Sequence, residues 1–209
     1  CRYNRFAATD EHTYKNFKYR ILDDNTAEIC GYTGKNAVVT VPDSIDSKPV
    51  TSIGRTAFYS GKIKEVTIPN TVRSIKWWAF YGCESLEKIN LNFGLKTVGY
   101  GAFMNCKNLK SVSIPMSVTQ ICDDSFAVSC STKKGVFDTY SKQTISTQQY
   151  STDSSFTLEG YSGTVAEKYC NDNSLNFVSS GNVIYGDVNN NGTVEAADAK
   201  LAKSLIDTV

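Results

Sequence analysis

Oxygen-bearing side chains are spaced most tellingly near the C-terminus, where residues 187–198 read DVNNNGTVEAAD. Asp187, Asn189 and Asn191 stand at positions 1, 3 and 5 of a twelve-residue loop, and Gly192 follows where such a loop must turn sharply. Thr193 would offer its backbone carbonyl, Glu195 would act directly or through water, and Asp198 would close the loop. Alternate side chains wrapping round one point suit a hard cation, so Ca2+ is the expected cofactor. Two asparagines replace possible carboxylates, which points to moderate affinity.

Other chemistry has less to rest on. His12 is the only histidine, so a Ser/His or Cys/His nucleophile pair would have to use it, and it lies in the polar stretch DEHTYKNF. The seven cysteines, at 1, 30, 83, 106, 122, 130 and 170, contain no CxxC pair to suggest zinc. Their odd number leaves at least one unpaired within the chain. Asp123 and Asp124 are neighbours, but their repeat equivalents are Arg55/Thr56, Trp77/Trp78 and Tyr100/Gly101, so no carboxylate pair recurs. Neither GxGxxG nor GxxxxGK[ST] is present for phosphate. No catalytic residue is therefore assigned, and the chain reads as a non-enzyme.

The 209 residues carry 22 basic and 21 acidic side chains, a formal net charge of +1, which gives no global field for nucleic acid. The largest basic cluster is Lys133–Lys134. No run of about 18 apolar residues exists, so no membrane span is expected. The chain opens at Cys1 without a signal sequence and is read as a mature fragment.

What would position a binding site is an internal repeat. The segments 51–72, 73–95 and 96–118 align residue for residue apart from one deletion near Gly61, and a fourth copy starts at 119 and decays by 130. Phe80, Phe103 and Phe126 recur every 23 residues, as do Ile89 and Val112, Leu91 and Ile114, and Leu95 and Val118. A period in the twenties marks a solenoid whose coils bury their apolar sides against each other. Within a coil, EVTIP, KINLN and SVSIP alternate apolar and polar residues like half-buried strands, and Pro69 and Pro115 end two of them. IGRTAF, IKWWAF and VGYGAF turn the chain and send a Phe inward. Stacked strands would form a parallel sheet about 4.8 Å apart. Cys83 and Cys106 share a repeat position and read as a column of small buried side chains.

Large aromatics occupy positions outside that core pattern. Trp77 and Tyr100 fall in one column with Trp78 beside it, and Tyr59, Tyr81 and Met104 fall in another. Either they form a contiguous outward patch, which would mark an interaction site for a protein or a polysaccharide, or one or both tryptophans fold inward over the turn. Glu65/Lys88/Ser111 and Thr67/Asn90/Ser113 make a second, polar candidate surface.

The IxxxAFxxCxxLxxVxIPxxVxxI pattern over residues 50 to about 126 resembles the BspA-type leucine-rich repeat of bacterial surface and secreted proteins. Residues 17–54 resemble the opening strands and first coil, and 156–178 resembles the strand and helix that seal such solenoids. The Ser/Thr/Gln-rich stretch 129–155 reads as a degenerate coil with an irregular excursion. The implied fold is a mainly β repeat solenoid with short helical or irregular turns over 1–180, followed by a C-terminal calcium loop–helix at 181–209. GDVNNNGTVEAADAKLAKSLI resembles the first half of a type I dockerin, the module that plugs proteins into cohesin domains of a cellulosome scaffold. That resemblance implies cohesin contacts at Ala196, Ala197 and Lys200. A dockerin has two such halves and one is present, so the other is expected to have been removed by truncation or processing. About a dozen residues make a marginal helix alone, and the Leu201/Leu205 stripe needs a partner.

Two readings follow. In one, a non-catalytic recognition module, secreted, extracellular or on a cell-surface cellulosome, carries a protein- or glycan-binding solenoid to a scaffoldin. In the other, this is an accessory piece of a larger secreted enzyme, such as a peptidase or transglutaminase, with its catalytic part elsewhere.

Overall fold

The computed structural model describes residues 11–133, 137–138, 143–144 and 147–182. Over most of that length the chain winds in stacked coils, each contributing to three files of inter-coil contact. The first file is a parallel ladder of Val38–Thr40, Glu65–Thr67 and Lys88–Asn90, paired Val39 to Val66 to Ile89. Ser111–Ser113, Thr157–Ser162 and Asn176–Asn182 form a second parallel ladder on the same apolar column, with Val112 opposite Leu158 and Leu158 opposite Phe177. Val66, Ile89, Val112 and Leu158 point inward and are buried, while their polar neighbours face out. This is the alternation expected of strands with one wet face.

The second file is another ladder, in which Lys48–Ile53, Ser74–Ile75, Thr97–Val98 and Gln120–Ile121 run parallel. Ile53, Ile75 and Val98 are its buried column. The repeat thus makes two parallel ladders where the sequence suggested a single sheet. Each is only two or three residues wide in the central coils, which is why the second hides inside the motif read as a turn.

The third file is that turn. In the second coil Trp78, Phe80 and Gly82 donate N–H bonds to Tyr100, Ala102 and Met104 of the next coil, at 2.8–3.1 Å. The intervening Ala79, Tyr81 and Cys83 donate to carbonyls three residues back, at 3.1–3.3 Å. Alternate amides therefore serve the coil and its neighbour, so none of the six is left without an acceptor.

Inside the turns runs one continuous file of stacked rings. Phe58, Phe80, Phe103 and Phe126 lie 4.8, 5.1 and 4.9 Å apart with planes within 7°. Phe156 continues the file at 5.9 Å, and Tyr32 and Phe17 extend it at the other end. Cys83 and Cys106 are buried beneath the turns, their thiols donating to the carbonyls of Phe58 and Phe80 at 2.9 and 3.2 Å.

Both ends are closed. At the start, His12–Tyr14, Phe17–Ile21 and Ala27–Tyr32 form an antiparallel meander whose last strand pairs in parallel with Lys48–Ile53. Glu28 of that strand is 1% exposed, held by Arg20 at 2.5 Å and by Lys76. At the far end the helix Val165–Asn173 buries Ala166, Tyr169 and Cys170. The Phe126 amide, whose counterpart at Phe103 finds a carbonyl in the next coil, donates instead to the Tyr169 hydroxyl at 3.1 Å. Burial pushes that phenol up to about 12.

Candidate recognition surface

The stretch read as an irregular excursion contains a β-hairpin, Val128–Lys133 paired antiparallel with Thr147–Thr152, inserted into the fourth coil. The chain leaves at Ala127 and returns at Asp153, whose amide donates to the Ala127 carbonyl at 2.8 Å. Asn105 of the third coil clamps it. Its side-chain oxygen accepts from the Cys130 amide at 2.7 Å, its side-chain nitrogen donates to the Cys130 carbonyl at 3.2 Å, and its backbone amide donates to Val128.

This clamp sets the hairpin beside the outer face of the turns. Tyr59, Trp78, Tyr81 and Tyr100 from three coils, with Cys130 and Tyr150 from the hairpin, line an open concavity of about 250 Å³. Met104, 3% exposed, also lines it. Tyr59 and Tyr150 are 58% and 51% exposed at its rim. Tyr59 and Tyr81 stack at 5.4 Å with planes 4° apart.

The two tryptophans part company. Trp77 is 46% exposed and lies outside the concavity. Trp78 is half-buried, with Tyr100 edge-on at 6.3 Å and the Arg55 guanidinium 4.9 Å from its ring centre. Its backbone is left-handed, φ +55°, an unusual state for a bulky residue. Thr56, Gly101 and Asp124 share that conformation in the same column, so the stacked turn imposes it on every coil. Gly101 serves twice, because a Cβ there would stand 2.7 Å from Cδ1 of the Trp78 indole. The sequence grouped Tyr59, Tyr81, Trp78, Tyr100 and Met104 in adjacent repeat columns and left open whether the tryptophans face outward. It did not place Tyr150 and Cys130, whose only signal is the weak alternation in TQQYST.

The phenols of Tyr81, Tyr100 and Tyr150 all titrate above the usual tyrosine range, burial among their neighbours being the largest cause. For Tyr100 a hydrogen bond with Asp124 adds to the shift. All three are neutral at physiological pH and able to donate hydrogen bonds.

Charge is distributed unevenly round the solenoid. On and beside the outer strands, Lys64–Glu87, Lys88–Glu65 and Lys107–Glu84 pair between coils 23 residues apart, and Lys110 pairs with Asp153. The polar columns proposed as a second surface are thus partly consumed by self-pairing. A concavity of about 570 Å³ along the second ladder is also internally satisfied. There Thr26 bonds Thr51, Ser74 bonds Ser52, Thr71 bonds the Asp43 carbonyl and Lys76 pairs with Glu28. Another concavity, about 320 Å³, shares Tyr59 with the aromatic one and carries Lys18, Lys35 and Lys62 against Glu11.

The remaining candidate chemistry is placed as follows. His12 lies on an edge strand against Tyr19, ring centres 5.4 Å apart. Burial pushes the Cys83 thiol up to about 11 and the Cys106 thiol well above its ordinary value, the reverse of an activated nucleophile. Among the described residues no group of His, Cys, Asp and Glu could hold a metal, and no helix is long and apolar enough to cross a membrane. The calcium-loop positions and Ala196, Ala197 and Lys200 lie outside the described residues.

Stacked coils, paired ladders and a single inner ring file define a leucine-rich-repeat β-solenoid. The chain belongs to the BspA type leucine rich repeat family, whose model matches six copies over residues 39–157. That match reaches further at both ends than the span of 50 to about 126 read from the motif. A leucine-rich repeat protein from Bacteroides capillosus is 31% identical, over 55% of this chain and 88% of its own length, with a TM-score of 0.52. A leucine rich cell surface protein from Faecalibacterium prausnitzii is 34% identical, over 55% of this chain and 33% of its own, with a TM-score of 0.51. The match therefore spans about a third of that second protein. No curated protein matches this chain.

Proposed function

We propose that this chain is a non-catalytic recognition module working outside the cell, with the aromatic concavity of the turn face as its ligand site. The observation that carries the reading is the convergence of Tyr59, Trp78, Tyr81 and Tyr100 with Tyr150 of an inserted hairpin. Repeat cores have no need of such a cluster, and exposed apolar patches of this kind mark interaction sites. The likeness to a protein described as cell-surface supports the extracellular assignment. The raised cysteine thiols and the solitary His12 support the absence of catalysis.

The tail supplies the address. In this reading Asp187, Asn189, Asn191, Thr193, Glu195 and Asp198 bind Ca2+. The loop with its following helix then forms half of a dockerin that docks a scaffoldin cohesin through Ala196, Ala197 and Lys200. Residue spacing supports the calcium ligands, and the resemblance to a type I dockerin alone supports the cohesin contacts.

Protein and glycan arrays probed with the wild type and with Trp78→Ala/Tyr81→Ala test the first part. Ligands should be lost from the double variant and kept by Trp77→Ala, and equal binding by all three would remove the concavity from consideration. Calorimetry with Ca2+ tests the second part, since Asp187→Ala/Asp198→Ala should abolish the heat; equal heats from the variant and the wild type would sink the ligand assignment.

A further inference from the structure

We propose that the partner in the aromatic concavity is an extended acidic polypeptide segment that inserts one bulky apolar side chain. This rests on the recognition reading above and names the class of ligand.

Ring geometry argues first. A sugar ring stacks on an open aromatic face, and three of the faces here are already covered. Tyr59 and Tyr81 cover each other's facing sides at 5.4 Å and 4°, and Arg55 occupies one face of Trp78 at 4.9 Å. What remains is a small socket with no charged side chain in its lining. Its volume of about 250 Å³ is below the range of whole small-molecule sites and suits an anchoring side chain. Tyr, Trp, Met and Arg are the residue types that concentrate at protein interfaces.

Charge supplies the complement. The groove that shares Tyr59 with the socket holds three lysines and one glutamate, a local net charge of 3 − 1 = +2. Lys18 lies 3.9 Å from Glu11, whereas Lys35 and Lys62 are exposed and make no ion pair among the described residues. On and beside the outer strands, Lys64, Lys88, Lys107 and Lys110 are each paired with a carboxylate across neighbouring turns. An unbalanced basic groove opening onto an apolar socket matches carboxylates on one side of an apolar anchor. Two coil steps are about 10 Å, and an extended chain advances about 3.3 Å per residue, so the acidic residues should fall within about four positions of the anchor.

The test pans a random-peptide display library against the intact chain and measures synthetic copies of enriched peptides by fluorescence anisotropy. Enriched sequences should carry Leu, Phe, Trp or Met with Asp or Glu clustered to one side. Lys35→Glu/Lys62→Glu, which alters only exposed side chains, should weaken binding about tenfold or more, and added salt should weaken it too. Failure to enrich any peptide, enrichment without acidic bias, or affinity indifferent to the charge reversal would overturn the proposal. Polygalacturonate, assayed alongside by affinity electrophoresis, would also overturn it if it bound in place of peptides and lost binding in Tyr81→Ala/Tyr100→Ala. That outcome would leave the recognition site standing, whereas binders of either kind unaffected by Tyr81→Ala/Tyr100→Ala would remove the site itself.

Discussion

Replacing Phe103 by alanine removes a ring that is 1% exposed and stacked on both sides, at 5.1 Å on Phe80 and 4.9 Å on Phe126. Truncating a buried Phe to Ala costs about 3–5 kcal/mol, and each stacked pair adds about 0.5–1.5 kcal/mol beyond area burial. The central position and two stacking partners place Phe103→Ala near the top of that range, about 5 kcal/mol. Phe103→Leu keeps apolar volume while losing both stacks, and should cost about 1–3 kcal/mol; the gap between the variants isolates the hole from the rings. Against a typical stability of about 5–15 kcal/mol the alanine change is severe. It should also break cooperativity, because each coil touches only its neighbours and a gap at the third uncouples the coils before it from those after it. Urea unfolding followed by tryptophan fluorescence, which reports Trp77 and Trp78 in the second coil, and by far-UV circular dichroism would read both effects. With a slope of about 2 kcal/mol per molar urea, the midpoint should fall by about 2.5 M. A loss under about 1.5 kcal/mol with coincident transitions would mean that the ring file does not hold the coils together.

Gly101→Ala puts a Cβ at φ +58° and within 2.7 Å of the Trp78 indole, and should cost about 1–2 kcal/mol while shifting Trp78 emission; an unchanged spectrum and midpoint would contradict the packing described. Stability should decline at alkaline pH. The folded Cys83 thiol keeps its proton to about 11 against 9.0 for an ordinary thiol, and Tyr169 to about 12 against 10.0, so ionisation favours the unfolded chain. These contributions, about 2–3 kcal/mol each, are intact below pH 9 and 10 respectively and vanish as pH rises through 11 and 12. Urea midpoints at about pH 7, 9 and 11 would test this, and a flat profile would refute it. Replacing Val128–Thr152 by two glycines should change stability by less than about 2 kcal/mol and abolish ligand binding, since Ala127 and Asp153 are already hydrogen-bonded; loss of a cooperative transition would show that the hairpin holds the solenoid.

The inner wall of the solenoid was legible because stacking forces the same side chain into the same place in every coil. Phe80, Phe103 and Phe126 recur at one spacing and lie in one file. The second ladder was not legible as a separate element, since strands of two residues leave no alternation to detect. Glu28 was unreadable for a different reason. Its burial depends on Arg20 across the meander and Lys76 two coils later, contacts that no local pattern encodes. Five of the seven residues lining the candidate site, Tyr59, Trp78, Tyr81, Tyr100 and Met104, lie within the repeat columns. Tyr150 could not be read from such columns, because the hairpin carrying it belongs to no repeat and its polar strands resemble loop composition.

That division has a physical basis. The coil interior tolerates little variation, because each side chain there packs against an equivalent apolar one in the neighbouring coils, as in Ile53–Ile75–Val98. An insertion that leaves and rejoins a coil at hydrogen-bonded neighbours, as at Ala127 and Asp153, adds only the slowly growing entropy of loop closure. It leaves the ring file continuous, with Phe156 stacking on Phe126 after the excursion. On the proposed reading, recognition would change through the hairpin and the turn face while the inner file stays as it is. Gly101 links the two, since the conformation every coil shares there is also what clears room for the Trp78 indole. Specificity should therefore follow the residues facing outward from the turns, Tyr81, Tyr100 and Tyr150 above all, and stability should follow those facing in.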